Sequence, residues 1–133
     1  MTRDKPSLFF PRRTFCAAAL LAAAACATAQ TAYPNKPVRV VVAFTAGGTT
    51  DILARAVTQH MSEKLRQPFV IDNKPGAGGN IGTEFVVRAP ADGYTLIVNS
   101  VGPMAVNQTL YKSLPYDPLA DLVPVVQIAD VPN

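Results

Sequence analysis

Two glycine pairs carry the strongest chemical signal in this 133-residue chain. Gly47-Gly48 stands within residues 45–51 (TAGGTTD) and Gly78-Gly79 within residues 74–80 (KPGAGGN). Each pair directly precedes a segment with helical spacing. Glycine lets backbone N–H groups approach a ligand closely and adopt positive φ. A helix start adds unpaired N–H groups and about half a positive charge. Two such starts side by side make an anion site without any lysine or arginine. Thr49, Thr50, Asn80, Asn99 and Ser100 add hydroxyl and amide partners. The chemistry implied is recognition of a small ligand bearing a carboxylate or phosphate. The same glycines also serve as plain tight turns between strand and helix, so both readings stand at this point.

Other chemistries find little support. In Gly76-Ala77-Gly78-Gly79-Asn80-Ile81 the third glycine of a dinucleotide fingerprint is replaced by Ile81, and the first loop has no phosphate-loop Gly-Lys-Thr. Asp51 could serve as a general base, but a carboxylate at a helix start is more often a cap. His60 is the only histidine and lies among the polar residues Gln59 and Ser62, as a surface side chain would. Tyr33, Tyr94, Tyr111 and Tyr116 read as core or rim packing. The two cysteines, Cys16 and Cys26, both fall in the first 29 residues, so the rest has no disulfide framework, thiolate nucleophile or cysteine metal site. No catalytic set, metal site or cofactor is expected, and the enzyme case is weak. The net charge of +3 belongs to those first 29 residues; the remaining 104 carry eight basic and eight acidic side chains. A nucleic-acid footprint, which needs clustered positive charge, is excluded.

The elements that would position these loops alternate between strand and helix. Residues 38–44 (VRVVVAF) form an apolar, β-branched run, as in a strand buried on both faces. A helix capped by Thr50 or Asp51 follows through about Arg66, with Leu53, Ala56, Val57, Met61 and Leu65 at helical spacing. Residues 69–72 are a second strand, and 80–88 a second helix with Ile81, Phe85 and Val86 inward. Residues 94–99 are a third strand, 104–111 a short helix, 117–122 a single helical turn, and 123–129 a fourth strand. This order implies parallel α/β architecture with right-handed crossovers. Strand-to-helix loops of a parallel sheet share its carboxyl edge, where ligands bind.

The first 29 residues have the order of an export signal. A basic segment ends in Arg12-Arg13, residues 14–25 (TFCAAALLAAAA) are apolar, and Ala27-Thr28-Ala29 supplies small residues for cleavage. The mature chain would begin near Gln30 and work outside the cytoplasm. A second reading makes Cys26 the lipid-modified first residue of a lipoprotein. PRRTF also looks like a twin-arginine signal, which leaves the export route open.

Four segments in order carry a family resemblance: YPNKPVRVVVAFTAGGTTDILAR, QPFVIDNKPGAGGNIG, ADGYTLIVNS and LYKSLPYDPLADLVPVVQIADVPN. Together they resemble the periplasmic substrate-binding proteins of tripartite tricarboxylate transporters, the Bordetella uptake gene family. The resemblance implies a two-lobed type II periplasmic binding protein that holds small carboxylates through backbone groups and bridging waters and delivers them to membrane permease subunits. It places ligand loops on Phe44 and Ala46, Gly47, Gly48, Thr49, Thr50 and Asp51, then on residues 76–80 with Gly78, Gly79 and Asn80, then on residues 99–102 with Asn99 and Ser100. It also implies a first-lobe strand order of 2-1-3-n-4, where n returns from the second lobe. Three departures stand out: Ala46 replaces a common proline, Arg66 a usual glycine, and Val101 a usual serine. Residues 30–133 are about one domain long, so the expectation is a partial first lobe, mainly parallel sheet with flanking helices, that looks truncated. The alternatives are a secreted α/β enzyme acting on an anionic small molecule, and a non-binding truncated remnant.

Overall fold

Backbone pairing in a parallel sheet turns the valine-rich run into the central strand of that sheet. The structure, a computed structural model, describes residues 32–130. The expected export signal and Cys26 lie outside the described residues. Strand β1 (Val38–Val42) is flanked on one side by β2 (Phe69–Asn73) and on the other by β3 (Thr95–Val98). Both neighbours are parallel to it, and the order is β2-β1-β3. That is the order the resemblance implies for the first three strands. Val38 lies opposite Phe69, and Arg39 opposite Thr95. Val38, Val40, Val41 and Val42 are 2% exposed or less, since helices cover both faces of the sheet. Burying each such side chain contributes roughly 1.5–3 kcal/mol.

Helix α1 (Thr49–Leu65) buries Ala54 and Thr58 together with Asp51. It ends at Arg66, whose φ of 53° and ψ of 31° place a non-glycine residue in the left-handed region. The glycine that the resemblance implies at this position would adopt that closing conformation without a Cβ penalty. Ser62 then accepts the Phe69 N–H at 3.1 Å, which ties the end of α1 to the start of β2. After β2, a single tight turn (Ala77–Gly79) leads into α2 (Asn80–Val87). A wide turn (Gly102–Val106) and the short α3 (Asn107–Leu110) follow β3. Asp117 and Asp121 close one helical turn: Asp121 Oδ2 accepts the Asp117 N–H, and Asp117 Oδ1 accepts that of Leu119.

Two expectations fail, each for a physical reason. Ile81 is not inward but 53% exposed. The face of α2 that meets the sheet carries Gly82 and Thr83, because the helix sits too close for a side chain. A Cβ at Gly82 would lie 2.8 Å from the Lys74 carbonyl and 2.9 Å from Ala43 Cα. Residues 123–129 form no strand, and Val123, Val125 and Val126 are 77–88% exposed. β-Branched composition alone does not make a strand; a paired edge is needed, and this segment pairs with none of the three described strands. Among the described residues, no helix is long and apolar enough to cross a membrane.

Candidate ligand-binding site

Parallel pairing brings the carboxyl ends of β1, β2 and β3 to one edge, and the loops that follow them meet at Gly79. A Cβ at Gly79 would lie 2.5 Å from Pro103 Cγ, 3.3 Å from the Phe44 ring and 3.5 Å from Ala43 Cβ. Phe44 and Ala43 belong to the first loop and Pro103 to the third. Phe44 and Gly79, both singled out in the sequence, therefore come together beside Pro103, and the side chains of the three loops do different jobs.

The first loop is held by a buried carboxylate. Asp51 is 2% exposed and accepts hydrogen bonds from the Gly47 N–H (2.8 Å), Arg55 Nε (2.8 Å) and Asn73 Nδ2 (2.9 Å). Asn73 Nδ2 also donates to the Phe44 carbonyl at 3.1 Å. The Arg55 hydrogen bond, then the Gly47 N–H and Asn73, hold the Asp51 carboxyl well below the usual carboxylate range. Asp51 raises Arg55 in turn. The expected cap is therefore different in kind. Residue Gly48 caps α1 without a side-chain bond, and Asp51 reaches back past the helix start to Gly47.

The second and third loops share a neutral network. Asn80 Oδ1 accepts from Asn107 Nδ2 (2.6 Å) and the Tyr116 hydroxyl (2.8 Å). Asn107 Nδ2 also reaches the Gly78 carbonyl at 3.2 Å. Thr83 Oγ1 donates to the Gly79 carbonyl and accepts from Asn99 Nδ2, both at 2.8 Å. Asn99 Oδ1 takes the Ser100 N–H at 3.0 Å. Asn80, Asn107, Thr83 and Tyr116 are all 7% exposed or less, and burial pushes the Tyr116 hydroxyl up from its ordinary pKa.

Several amides offered by the glycine pairs are thus already engaged. Gly47 N–H serves Asp51, Gly79 N–H serves the Gly76 carbonyl at 2.9 Å, and Gly48 N–H closes a longer 3.4 Å turn to Thr45. The start of α1 supplies the rest. Ile52 is the first residue to bond back, to Gly48 at 3.0 Å, which leaves the N–H groups of Thr49, Thr50 and Asp51 without an intrahelical acceptor. Thr49 is exposed and Thr50 half-buried, so this first turn faces the loop edge with amides and hydroxyls together. Sequence reasoning missed Arg55, Asn73, Thr83 and Asn107 and took Tyr116 only for packing. Only Arg55 carried a local signal, four residues after Asp51.

Two open grooves lie elsewhere. One of about 450 Å³ runs between α1 and β2, beside Arg55, Thr58 and Val70. Another of about 630 Å³ lies at the opposite edge, beside Lys36, Arg39, Arg88 and Asp92. There Lys36 pairs with Asp92 at 3.1 Å, and Arg88 pairs with Glu84, so much of the positive charge is already matched.

The family model described as "Tripartite tricarboxylate transporter family receptor" matches residues 53–133. The chain belongs to this family. Protein BugT of Bordetella pertussis is 46% identical over 101 residues, which are 75% of this chain and 31% of BugT. Among solved receptors, MatC (Rpa3494) from Rhodopseudomonas palustris, with bound malate, is 41% identical with a TM-score of 0.69. The match covers 72% of this chain and 33% of MatC. Rpa4515 of R. palustris, solved with adipate, is 47% identical with a TM-score of 0.64, over 65% of this chain and 29% of that one. The chain spans about a third of the length of the receptors it matches.

Proposed function

We propose that this chain is the N-terminal part of the first lobe of an exported solute-binding protein, and that its loop edge holds one carboxylate end of a small di- or tricarboxylate for delivery to a membrane permease. The observation that carries this reading is the open first turn of α1, which follows the first of the three loops that meet at Gly79, in a family whose solved members hold malate and adipate. The backbone of Ala46, Gly47 and Gly48 shapes the approach, and Thr49 and Thr50 present N–H and hydroxyl donors. Phe44 and Gly79 form the apolar floor, with Gly78 beside it, and Ser100 lines the third side. Asp51, Asn80 and Asn99 belong to the wall through the bonds that hold it in shape. The work proposed is binding, as in the receptor family to which the chain belongs. Export follows from the leader, with cleavage after Ala29 giving an N-terminus at Gln30 in the periplasm.

The loop edge formed by the described residues is open to water, where hydrogen-bonding and electrostatic gains are small. The 133-residue polypeptide is therefore expected to bind weakly, and calorimetric titration should use millimolar malate and adipate. Thr49→Pro is the sharpest test. Proline is favoured at the first helical position, and Gly48 before it is already extended (φ −75°, ψ 167°), so the fold tolerates the change. Only the N–H and the hydroxyl are lost, and Thr49→Ala controls for the hydroxyl. Hydrogen bonds to charged groups imply a loss of roughly tenfold or more relative to Thr49→Ala. Equal binding by the two variants would remove the α1 start as the site.

A further inference from the structure

The amide of Asn80 is held in one orientation by two residues that no part of the binding reading requires. The Gly78 carbonyl can only accept, so the Asn107 atom 3.2 Å from it is the Nδ2 donor. That same Nδ2 lies 2.6 Å from the Asn80 side chain, which must meet it with oxygen. The Tyr116 hydroxyl lies 2.8 Å from that oxygen and 3.1 Å from the Pro103 carbonyl, so its single proton goes along the shorter bond to Asn80 Oδ1 and the Pro103 carbonyl stays the more distant acceptor. With two donors on Oδ1, the Asn80 Nδ2 is turned away from the network. Its two N–H groups have no partner among the described residues. No enclosed side-chain nitrogen or oxygen among those residues lacks a partner, so this one opens onto the small surface left to a residue 5% exposed. Asn80 directly follows Gly79, the meeting point of the three loops.

We infer that Asn107 and Tyr116 are positioning residues of the carboxylate site: they fix the Asn80 amide so that it offers donors, not an acceptor, at the loop edge. This rests on the carboxylate reading and deepens it. An amide turned the other way would present lone pairs to an anion and repel it. The network thus selects for negative charge without placing a cation in the site. It also makes the second and third loops one rigid wall, because Asn107 grips Gly78 and Asn80 together while Tyr116 bridges Asn80 and Pro103.

The test is ¹⁵N NMR of the full 133-residue chain titrated with malate and with adipate. In the native chain, the Asn80 side-chain amide signals should shift together with the backbone amides of Thr49 and Thr50. Asn107→Asp replaces the donor with an acceptor, so the Asn80 amide should rotate to meet it. Its signals should then stop responding to ligand and exchange slowly with solvent, and affinity should fall about tenfold. Tyr116→Phe removes one of the two donors and should weaken binding about threefold, with broadened Asn80 side-chain signals. Native Thr49 and Thr50 shifts with a silent Asn80 amide would overturn the proposal alone. So would an Asn107→Asp variant whose Asn80 amide still responds at unchanged affinity. Silence at all loop amides would overturn the carboxylate reading, and the clamp's role with it. If Asn107→Asp does not fold, Tyr116→Phe decides, and unchanged affinity and linewidth there overturn the proposal.

Discussion

The two glycine loops look alike in sequence and are built on different physics. In the first, Gly47 has φ of 84°, and a Cβ added to it would meet nothing within 4 Å. Gly48 has an ordinary φ of −75°, and its Cβ would make only a 3.4 Å contact with the Thr45 carbonyl. This loop needs one unusual backbone angle and is held by the charge of Asp51. In the second, Gly76, Ala77, Gly78 and Gly79 take φ of 131°, 47°, 64° and 93° in succession. Gly79 must also lack a side chain, because Pro103 occupies the place where one would go. This loop is held by neutral amides and hydroxyls. A glycine doublet before a helix therefore does not say which glycine matters, or why.

Substitutions should expose the contrast. The largest effect is expected for Gly79→Val, which combines left-handed strain with overpacking against Pro103 and Phe44. The cost is about 3 kcal/mol or more by urea denaturation. Next comes Asp51→Ala, which removes the acceptor shared by Gly47, Arg55 and Asn73. It should lower the urea midpoint clearly and speed hydrogen exchange at Gly47 while leaving Gly79 protected.

The charge clamp also predicts an acid limit. The Asp51 carboxyl titrates lower in the folded chain than in the unfolded one. Its contribution is thus complete above the unfolded value of about 3.9 and is lost as pH falls below that towards the folded value. Native protein should lose stability more steeply than Asp51→Ala over that acid range. Parallel pH curves for the two would contradict the clamp.

Smaller still is Gly47→Ala, at about 1 kcal/mol for the left-handed angle, with Gly48→Ala within about 0.5 kcal/mol of native. If Gly48→Ala costs as much as Gly47→Ala, the asymmetry within the first doublet is wrong. A further change of modest size is a gain. Arg66→Gly relieves the left-handed close of α1 and should stabilise by about 0.5–1 kcal/mol, net of the greater freedom of the unfolded chain. Ala77→Gly provides the same measurement inside the second loop.

Periodicity made β1, α1, β2, α2 and β3 legible, because each follows a local pattern of apolar or β-branched residues. It failed at residues 123–129, where strand formation depends on a partner edge that no local pattern reports. It failed at Ile81 because the rule seeks large apolar residues inward, whereas close packing put Gly82 and Thr83 there. The strand-to-helix loops at the carboxyl edge were legible from glycine and hydroxyl spacing. Their internal bonds were not: Asn107 reaches Asn80 across 27 residues, Tyr116 across 36, and Asn73 reaches Asp51 across 22. Such pairings exist only once the sheet has brought the three loops together.

The central claim is that a carboxylate sits on the first turn of α1 at the carboxyl edge of the sheet. A crystal structure of the chain grown with malate tests it most directly. The account expects carboxylate oxygens about 3 Å from the backbone nitrogens of Thr49 and Thr50, within reach of Asn80 Nδ2. Malate in the opposite groove beside Lys36, Arg39 and Arg88, with the loop edge holding none, would contradict it.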